Sequence, residues 1–477
     1  MTRTFKSYVP TVLTLSKEQL AKVPKGLKVR YGINRAKQKN GDIYVMERAY
    51  YIVPETNNPR AIASVKIGTI PKEGGDMIPV NQKKSTSVST VAKLAKKAQS
   101  ILADERQKAK VRFPLHIFWT VYILCALTGR TDATSVADYW NSKRKELQRY
   151  LPEMPLYEIS PDSVLRLMSL LNFEQSKELA KLFVKTVELD PQTPRVVCID
   201  GQAIRASRNE ADRCSFTLNL FDSSSEQTLG QCLIEAKSSE VSGADFLLRQ
   251  FDLDGTIVTA DALFAKASML ELIIERGADY CIPVKDNTRV VKAAIDDIFD
   301  RSMLARDGDK MPEMKSVFYE TELDHGRIEK RELYVLPSRL LPEPIKQKWP
   351  GLDEGCIVQY CRHVINKKTS EVSTQVKRLV SSVRWNDNVE NILGTVIRRH
   401  WSIENNLHWV LDVAFRQDRI QCKNAKYIYA RSWVNKMALN LLRTYQRKAG
   451  STKSIEREMV EMHNLKMALK CLKMTLE

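Results

Sequence analysis

Short apolar strands alternate with helical segments between residues 195 and 300, and this alternation is the strongest constraint on the fold. Apolar strand patterns cover residues 195–199, 215–221, 228–236, 256–260 and 278–284. Helical patterns cover residues 244–251, 265–277 and 290–300. Strands that alternate with helices favour an α/β domain in which neighbouring strands pair in parallel. We therefore predict an α/β fold for this part of the chain.

The chain on either side of this stretch has other patterns. Residues 27–70 favour strands, and residues 91–190 favour helices, one of which starts at Ser160-Pro161. Residues 315–385 again favour strands, and helical patterns return from residue 386 onward. A polar stretch at residues 81–90 is typical of a linker. We predict six parts: a basic β-rich module, 1–85; a helical domain, 91–190; the first part of an α/β core, 194–314; a β-rich insertion, 315–385; the second part of the core, 386–450; and a C-terminal helical tail, 451–477.

The positive charge is concentrated near the N-terminus. The 477 residues include 75 Lys and Arg against 57 Asp and Glu, which gives a net charge of +18. Residues 1–112 contain 23 basic and 8 acidic residues, so they hold +15 of that charge. Such a segment suits a partner with many phosphates, because neutralising phosphates releases counterions. The predicted partner is nucleic acid, and the alternative is a solubilising basic surface.

Several functional classes are excluded by motif and composition. The longest apolar run, residues 113–127, is shorter than the roughly 20 residues that cross a bilayer, so it predicts a buried helix. Without a secretion signal, we expect a cytoplasmic protein. Nine cysteines without a C-x-x-C pair argue against a disulfide scaffold or a structural zinc site. Loops for nucleotide phosphates and serine-hydrolase elbows are absent from the sequence, which leaves carboxylate and metal chemistry.

Two aspartates, Asp200 and Asp261, follow predicted apolar strands directly. The carboxyl ends of strands are where open α/β sheets place their ligand sites, so neighbouring strands can bring these side chains together. Two such carboxylates repel each other unless a cation lies between them, and oxygen ligands suit Mg²⁺ or Mn²⁺. The alternative for each aspartate is that it only caps a turn.

Glu404 is the third candidate carboxylate. It lies in a helical segment where His400, Glu404, His408 and Asp412 repeat every four residues and form a polar stripe on one face. The stripe also suggests a zinc site, but three ligands in one row do not easily surround a tetrahedral ion. The flanking Trp401 and Trp409 are expected to pack against the protein rather than to stack on bases.

These carboxylates lie in motifs that resemble bacterial insertion-sequence transposases of the DDE type, in the group that includes the H-repeat-associated proteins. The resemblance covers most of the chain from about residue 100 onward. It rests on four segments: VVCIDGQAIRAS around Asp200, TIVTADALFAKASMLELIIERGADYCIPVKDN around Asp261, HGRIEKRELYV from His325, and RRHWSIENNLHWVLDVAFRQD around Glu404.

The resemblance implies an RNase H-like catalytic core interrupted by the β-rich insertion. Asp200, Asp261 and Glu404 would hold two Mg²⁺ (or Mn²⁺) ions about 3.5 to 4 Å apart. The implied activity is that of a DNA transposase, which binds terminal inverted repeats, cleaves DNA by phosphodiester hydrolysis and joins the 3′ ends to target DNA without a nucleotide cofactor. The implied partners are double-stranded DNA and a second protomer, in the bacterial nucleoid. The alternatives are a DNA-binding regulatory protein that no longer transposes and a metal-dependent DNA nuclease.

Further positions match the family motifs or depart from them. Three of them match polar positions of the motifs: Lys285, His325 and Arg327. Three more flank Glu404: Arg398, Arg399 and His408. We expect these six residues to contact DNA, and the alternative is that they form surface ion pairs. The departures are Gln202 in place of Lys, Ala206 in place of Gly, Asp286 and Thr288 in place of Gly and Gln, and Gln417 in place of Glu. Because all three carboxylates are present, we expect cleavage activity and assign the departures to altered DNA contacts.

Overall fold

The computed structural model describes residues 17–476 except for residues 22, 25, 39–42, 57, 71–77, 80–88, 186, 190–192, 209–213, 235–238, 305–313, 324–326 and 420–423. The chain divides into two compact units, Met1–Ser89 and Thr90–Glu477. Most of the predicted linker at residues 81–90 lies outside the described residues.

The first unit contains a four-stranded antiparallel sheet in the order β1-β2-β3-β4. The central strand β2 buries Val45, Ala49 and Tyr51 on one face, because side chains of a strand alternate between its two faces. The strands predicted between residues 27 and 70 are thereby confirmed. The elements are α1 (Lys17–Leu20), β1 (Arg30–Lys37), β2 (Ile43–Val53), β3 (Asn58–Ile70) and β4 (Ile78–Pro79).

The second unit is built on a nine-stranded mixed sheet in the order β10-β11-β12-β13-β9-β8-β5-β6-β7. Its strands are β5 (Arg195–Ile204), β6 (Ser215–Asp222), β7 (Gln227–Ile234), β8 (Thr256–Ala260), β9 (Asp279–Val284), β10 (Lys315–Leu323), β11 (Arg327–Pro337), β12 (Cys356–Asn366) and β13 (Val372–Ser381). Strands β5, β8 and β9 pair in parallel. Strands β5, β6 and β7 form an antiparallel meander, in which a short turn joins β6 to β7.

The β-rich segment predicted at residues 315–385 extends this same sheet. Strands β10 to β13 form an antiparallel meander, and β13 pairs with β9 so that Leu379 lies opposite Pro283. The strands of the segment are as expected from the sequence. Their attachment to the core sheet depends on long-range pairing, which the strand patterns alone did not indicate.

Helices lie between the strands of the large sheet in the sequence, and further helices precede and follow it. They are α2 (Thr90–Ile101), α3 (Leu115–Ala126), α4 (Ala133–Leu147), α5 (Pro161–Met168), α6 (Phe173–Lys181), α7 (Glu240–Gln250), α8 (Ala267–Glu275), α9 (Arg289–Leu304), α10 (Glu343–Lys346), α11 (Val389–His400), α12 (Trp409–Val413), α13 (Ala425–Ala449), α14 (Ile455–Met462) and α15 (Leu465–Leu476). Ser160 caps α5 by accepting a hydrogen bond from the Ser163 N–H, as the sequence predicted. None of the described helices combines the length and apolar character needed to span a membrane.

The helices that precede the sheet share one core with the helices that follow it. Helix α3 is buried nearly all round, which confirms the buried helix predicted at residues 113–127. It packs against α2 and α13, and α15 packs against α2 and α13 as well. The helical region at residues 91–190 is therefore part of the same compact unit as the sheet.

Helix α13 binds the edge of the sheet through buried polar side chains. The Asn440 amide accepts a hydrogen bond from the Thr228 N–H and donates one to the Thr228 carbonyl, both at 2.9 Å. The Lys436 amino group donates to Gln231 Oε1 at 2.5 Å and to Ser432 Oγ at 2.7 Å. Because backbone groups of β7 find partners on the helix, this strand is covered rather than left as an open edge.

Burial lowers the pKa of Lys436 to about 7, against an ordinary value of 10.5. Between these two values the unfolded chain binds a proton that the folded protein does not, so the free energy of unfolding rises with pH by about 1.4 kcal/mol per pH unit. We expect the difference in unfolding free energy between wild type and Lys436→Met to grow by this amount per unit from about pH 7.5 to about pH 9. Urea unfolding at several pH values measures it, and parallel pH curves for the two proteins would contradict it.

Candidate active site

Asp200 and Asp261 lie on adjacent parallel strands of the sheet. Ile199 of β5 is paired with Ala260 of β8, so the two aspartates follow at equivalent positions. Strand β5 does not end at Asp200, as the sequence suggested, but continues to Ile204 because it remains paired with β6. Asp261 does follow the last residue of β8 and begins a short helical turn by accepting a hydrogen bond from the Ala262 N–H at 2.7 Å.

Glu404 reaches the same edge of the sheet from the segment that follows α11. Helix α11 packs on β5 and β8, and a π-helical turn at Ile403–His408 connects it towards α12. Asp200, Glu404 and His408 each offer a ligand atom, and these atoms lie within 4.8 Å of one another. Two carboxylates that are far apart in the sequence, Asp200 and Glu404, thus converge. Asp261, which the family motifs also assign to the metal site, is not among these ligand atoms.

Asp200 and Glu404 bring carboxyl oxygens within 4.8 Å of each other. Burial is the main cause that raises the pKa of Asp200 well above its ordinary value, and the neighbouring Glu404 adds to it. The hydrogen bond from His408 lowers the pKa of Glu404, against the effect of its partial burial. The physical reason for the opposite shifts is that two adjacent carboxylates do not both ionise unless a cation neutralises them.

Asp261 lies beside this cluster and has a cation of its own. Its Oδ1 accepts a hydrogen bond from Lys285 Nζ at 2.9 Å. Although burial opposes the effect, Lys285 and the Ala262 N–H hold the pKa of Asp261 below its ordinary value. His400 is partly buried and is close enough to both Asp261 and Glu404 for their charges to act on it. Its own pKa is lowered to about 4, chiefly by burial, so it is neutral at physiological pH.

His408 is buried between the carboxylates and β6. Its Nδ1 lies 3.3 Å from Glu404 Oε2 and 3.6 Å from Asp200 Oδ2, and its Nε2 lies 3.2 Å from Asn219 Nδ2. The same Asn219 nitrogen faces the carbonyl oxygens of Asp200 and Thr217, which fixes it as a donor. The His408 Nε2 therefore accepts, and its Nδ1–H donates to Glu404.

Two residues that were expected to contact DNA have partners inside the protein. His408 is only 5% exposed and its Nδ1 faces Glu404, so its imidazole can orient that carboxylate. Arg399 donates to the Pro194 carbonyl and to Ser224 Oγ, both at 2.7 Å, so it anchors α11 near the start of β5. Sequence position next to Glu404 did not reveal these orientations, because successive residues of a helix point in different directions.

The other residues expected to contact DNA have different positions. Lys285 is exposed and adjoins Asp261, and Arg398 is exposed with its guanidinium 5.0 Å from the Tyr319 ring. His325 lies outside the described residues, and Arg327 begins β11 without a described side chain. Contact of these four residues with DNA stays a prediction.

The two tryptophans next to Glu404, which were expected to pack against the protein rather than to stack on bases, keep a large exposed fraction. Trp401 is 40% exposed, and Lys377 Nζ lies 4.6 Å from its ring. Trp409 is 58% exposed. The π-helical turn, in which the Trp409 N–H donates to the Glu404 carbonyl, lies between the two tryptophans and changes the face of the helix that Trp409 takes.

Two departures from the family pattern contact each other behind the carboxylates. Gln417 Nε2 donates to Gln202 Oε1 at 3.3 Å, and Gln202 Nε2 donates to Asp412 Oδ1 at 3.0 Å. Both glutamines are buried. One basic and one acidic family residue are thus replaced by a pair of neutral amides, which leaves no unpaired charge between them. These departures concern packing inside the protein, not the DNA contacts to which the sequence assigned them.

Sequence reasoning missed Asn219 and the constraint on Gly201. Asn219 is a polar residue in an otherwise apolar strand, and that contrast was the signal available for it. A Cβ on Gly201 would lie 2.5 Å from Glu240 Oε1, so a larger residue next to Asp200 would have to displace that carboxylate. The proximity of Glu240 depends on the packing of α7, which no local pattern shows.

The site and the sheet define a class of protein: an enzyme whose oxygen ligands suit a divalent metal ion. The chain belongs to the Transposase DDE domain family, which matches residues 191–441 and so includes Asp200, Asp261 and Glu404. It is therefore a DDE-type transposase, and the family resemblance noted in the sequence is confirmed.

Known relatives are similar over most of their length. The chain is 28% identical over 353 residues to the "Putative transposase YncI" of Escherichia coli O157:H7, which covers 72% of this chain and 86% of the relative. It is 26% identical over 350 residues to the "H repeat-associated putative transposase YhhI" of Escherichia coli (strain K12), which covers 72% of this chain and 88% of the relative. A piggyBac transposase synaptic complex with hairpin DNA overlaps with a TM-score of 0.38 at 11% identity, over 81% of this chain and 79% of that chain.

Proposed function

We propose that this transposase binds the terminal inverted repeats of its element, cleaves DNA there and joins the 3′ ends to target DNA. The observation that carries the proposal is that Asp200 and Glu404 bring ligand atoms within 4.8 Å of each other. They do so next to β8, the strand that Asp261 directly follows. Three carboxylates at adjacent positions match the oxygen ligands expected for phosphodiester cleavage with two divalent ions.

We further propose that the catalytic core is RNase H-like. The strand order β7-β6-β5-β8-β9, with an antiparallel meander followed by two parallel strands, supports this assignment. Strands β10 to β13 then form the insertion, which lies in the sequence between Asp261 and Glu404. The domain boundaries predicted from the sequence belong to the same proposal.

The donor set fits Mg²⁺ or Mn²⁺. Asp200, Asp261 and Glu404 offer carboxylate oxygens, and these are the ligands that such ions prefer. Two bound ions would supply activation of the attacking water or 3′-hydroxyl and stabilisation of the leaving oxygen. Glu404 is held in place by the His408 Nδ1–H, and the exposed Lys285 ammonium lies beside Asp261, where a phosphate can accept from it.

We propose double-stranded DNA, both element ends and target, as the partner. The first unit and the helical region at residues 91–190 would bind the ends, which is supported by the concentration of basic residues in the first 112 residues. Since two ends must be held together, the proposed active species is a homodimer on DNA. Because its proposed substrate is DNA, we propose that the protein acts at the nucleoid.

The decisive experiment incubates pre-cut element ends, taken from the DNA that flanks the gene, with a plasmid target and Mg²⁺. We expect joined product with wild type and none with Asp261→Ala, because joining uses the same carboxylates as cleavage. Nicking without any joined product would favour a nuclease. Binding without nicking or joining in wild type and variant alike would favour a regulatory DNA-binding protein.

A further inference from the structure

A groove of about 630 Å³ lies on the second unit. None of the residues that line it belongs to the metal-ligand cluster. Its walls are the segment between α2 and α3, helix α5, and Asn424 at the start of α13. The residues that the argument uses are basic or carry hydroxyl groups: Lys110, Arg112, Arg166, Ser163 and Ser169.

The groove carries three positive charges that no carboxylate of the described residues neutralises. Lys110, Arg112 and Arg166 are exposed, and within the described part of the chain no carboxylate lies within the 4.0 Å of an ion pair from any of them. Arg106, the fourth basic residue of the lining, differs because its guanidinium is paired with Asp104 at 2.6 Å. The groove therefore has a net charge of about three, which suits a polyanion.

The contacts of these side chains leave their charged groups available. The Arg112 guanidinium lies 4.8 Å from the ring of Tyr157, which holds it over an exposed aromatic face without using its hydrogen-bond donors on an acid. Among the residues that the structure describes, Arg166 donates only from Nε, to the Asp162 carbonyl at 3.3 Å. The remaining guanidinium N–H groups and the two serine hydroxyls are the donors that phosphate oxygens accept from.

We propose that this groove binds the phosphate backbone of duplex DNA, independently of the basic first unit. The inference rests on the proposed function, in which duplex DNA is the substrate. The cations of the groove come from two separate segments and have no acidic partner among the described residues, so they suit a row of DNA phosphates. Contacts to the phosphate backbone of DNA do not depend on base sequence. Arg166 lies in the part of the chain after residue 112, which is nearly neutral overall. The net charge of each segment therefore did not indicate the basic groove.

The test measures the salt dependence of duplex binding by the full chain, with wild type and the triple variant Lys110→Ala, Arg112→Ala, Arg166→Ala. The probe is a fluorescent duplex of random sequence, and the readout is anisotropy in KCl from about 50 mM to about 200 mM. Each lost phosphate contact makes the negative slope of log K against log salt shallower by about 0.9. The slope of the triple variant should therefore be shallower than that of wild type by about 2.7. Over this fourfold range of salt, wild type should lose about 40-fold more affinity than the variant does.

A matched control removes the same net charge from elsewhere on the second unit. Lys181, Arg249 and Arg301 are exposed, and each is already paired with a carboxylate on its own helix. The triple alanine variant of these residues should keep the wild-type slope. Thermal unfolding of all three proteins verifies folding, which substitution of exposed side chains should leave intact.

The outcomes separate this inference from the proposed function. A groove variant that keeps the wild-type slope, or one whose slope falls only as far as that of the control, overturns the groove assignment while wild-type binding still supports the proposed function. If wild type shows no salt-dependent binding of duplex DNA, the proposed function fails first and the groove assignment fails with it.

Discussion

Replacing Asp200 or Asp261 by Asn, or Glu404 by Gln, is expected to lower the rate of Mg²⁺-dependent DNA cleavage by about 1000-fold or more. Each change keeps the shape of the side chain but removes the negative charge that binds a divalent ion. Metal ions contribute several kcal/mol of transition-state stabilisation, and about 4 kcal/mol corresponds to 1000-fold in rate. The measurement is the initial rate of nicking at element ends under saturating Mg²⁺.

Binding and folding should survive these three substitutions. Removing a negative charge next to the DNA path should leave the affinity for duplex DNA unchanged or increase it, which anisotropy without metal measures. The control is Glu271→Gln, an equal change of charge on the exposed face of α8, which should leave the nicking rate unchanged. Retention of more than about a tenth of the wild-type rate by any of the three variants would remove that residue from the metal site.

Two parts of the site could be predicted from the sequence. Asp200 and Asp261 follow apolar strand patterns that can be read from local periodicity, although β5 continues past Asp200 to Ile204. Their adjacency then follows from the parallel pairing of β5 with β8. Glu404 was assigned through the family motifs, because nothing in a helical pattern tells which strand a helix will pack against.

The rest of the site depends on structure that local patterns do not encode. The π-helical turn changes the direction of every side chain after Ile403, so His408 is buried and Trp409 is exposed. The contact between Gln202 and Gln417 requires β5 and the segment after α12 to meet. Similarly, β10 to β13 were predicted as strands, but their pairing with β9 is a long-range choice.

A dependence of metal binding on His408 is the second large effect that the geometry predicts. His408→Ala removes the Nδ1–H that orients Glu404 and leaves the Asp200–Glu404 pair without that donor. Loss of a group that orients a metal ligand typically costs about 10- to 100-fold in metal affinity or activity. We expect the Mg²⁺ concentration for half-maximal cleavage to rise by about that factor. Titrating Mg²⁺ in the nicking assay measures it.

Comparison variants separate orientation of Glu404 from a general loss of stability. His408→Asn can still donate from a position near that of Nδ1 and should recover part of the Mg²⁺ affinity, whereas Asn219→Leu removes the donor to Nε2 and should weaken it. His363→Ala, on the insertion strands and bonded to Thr374, should change nothing. If His408→Ala and His408→Asn lower the melting temperature equally and leave the Mg²⁺ dependence at the wild-type value, the histidine only fills space. A shift in Mg²⁺ dependence that Asn reduces assigns it to the orientation of Glu404.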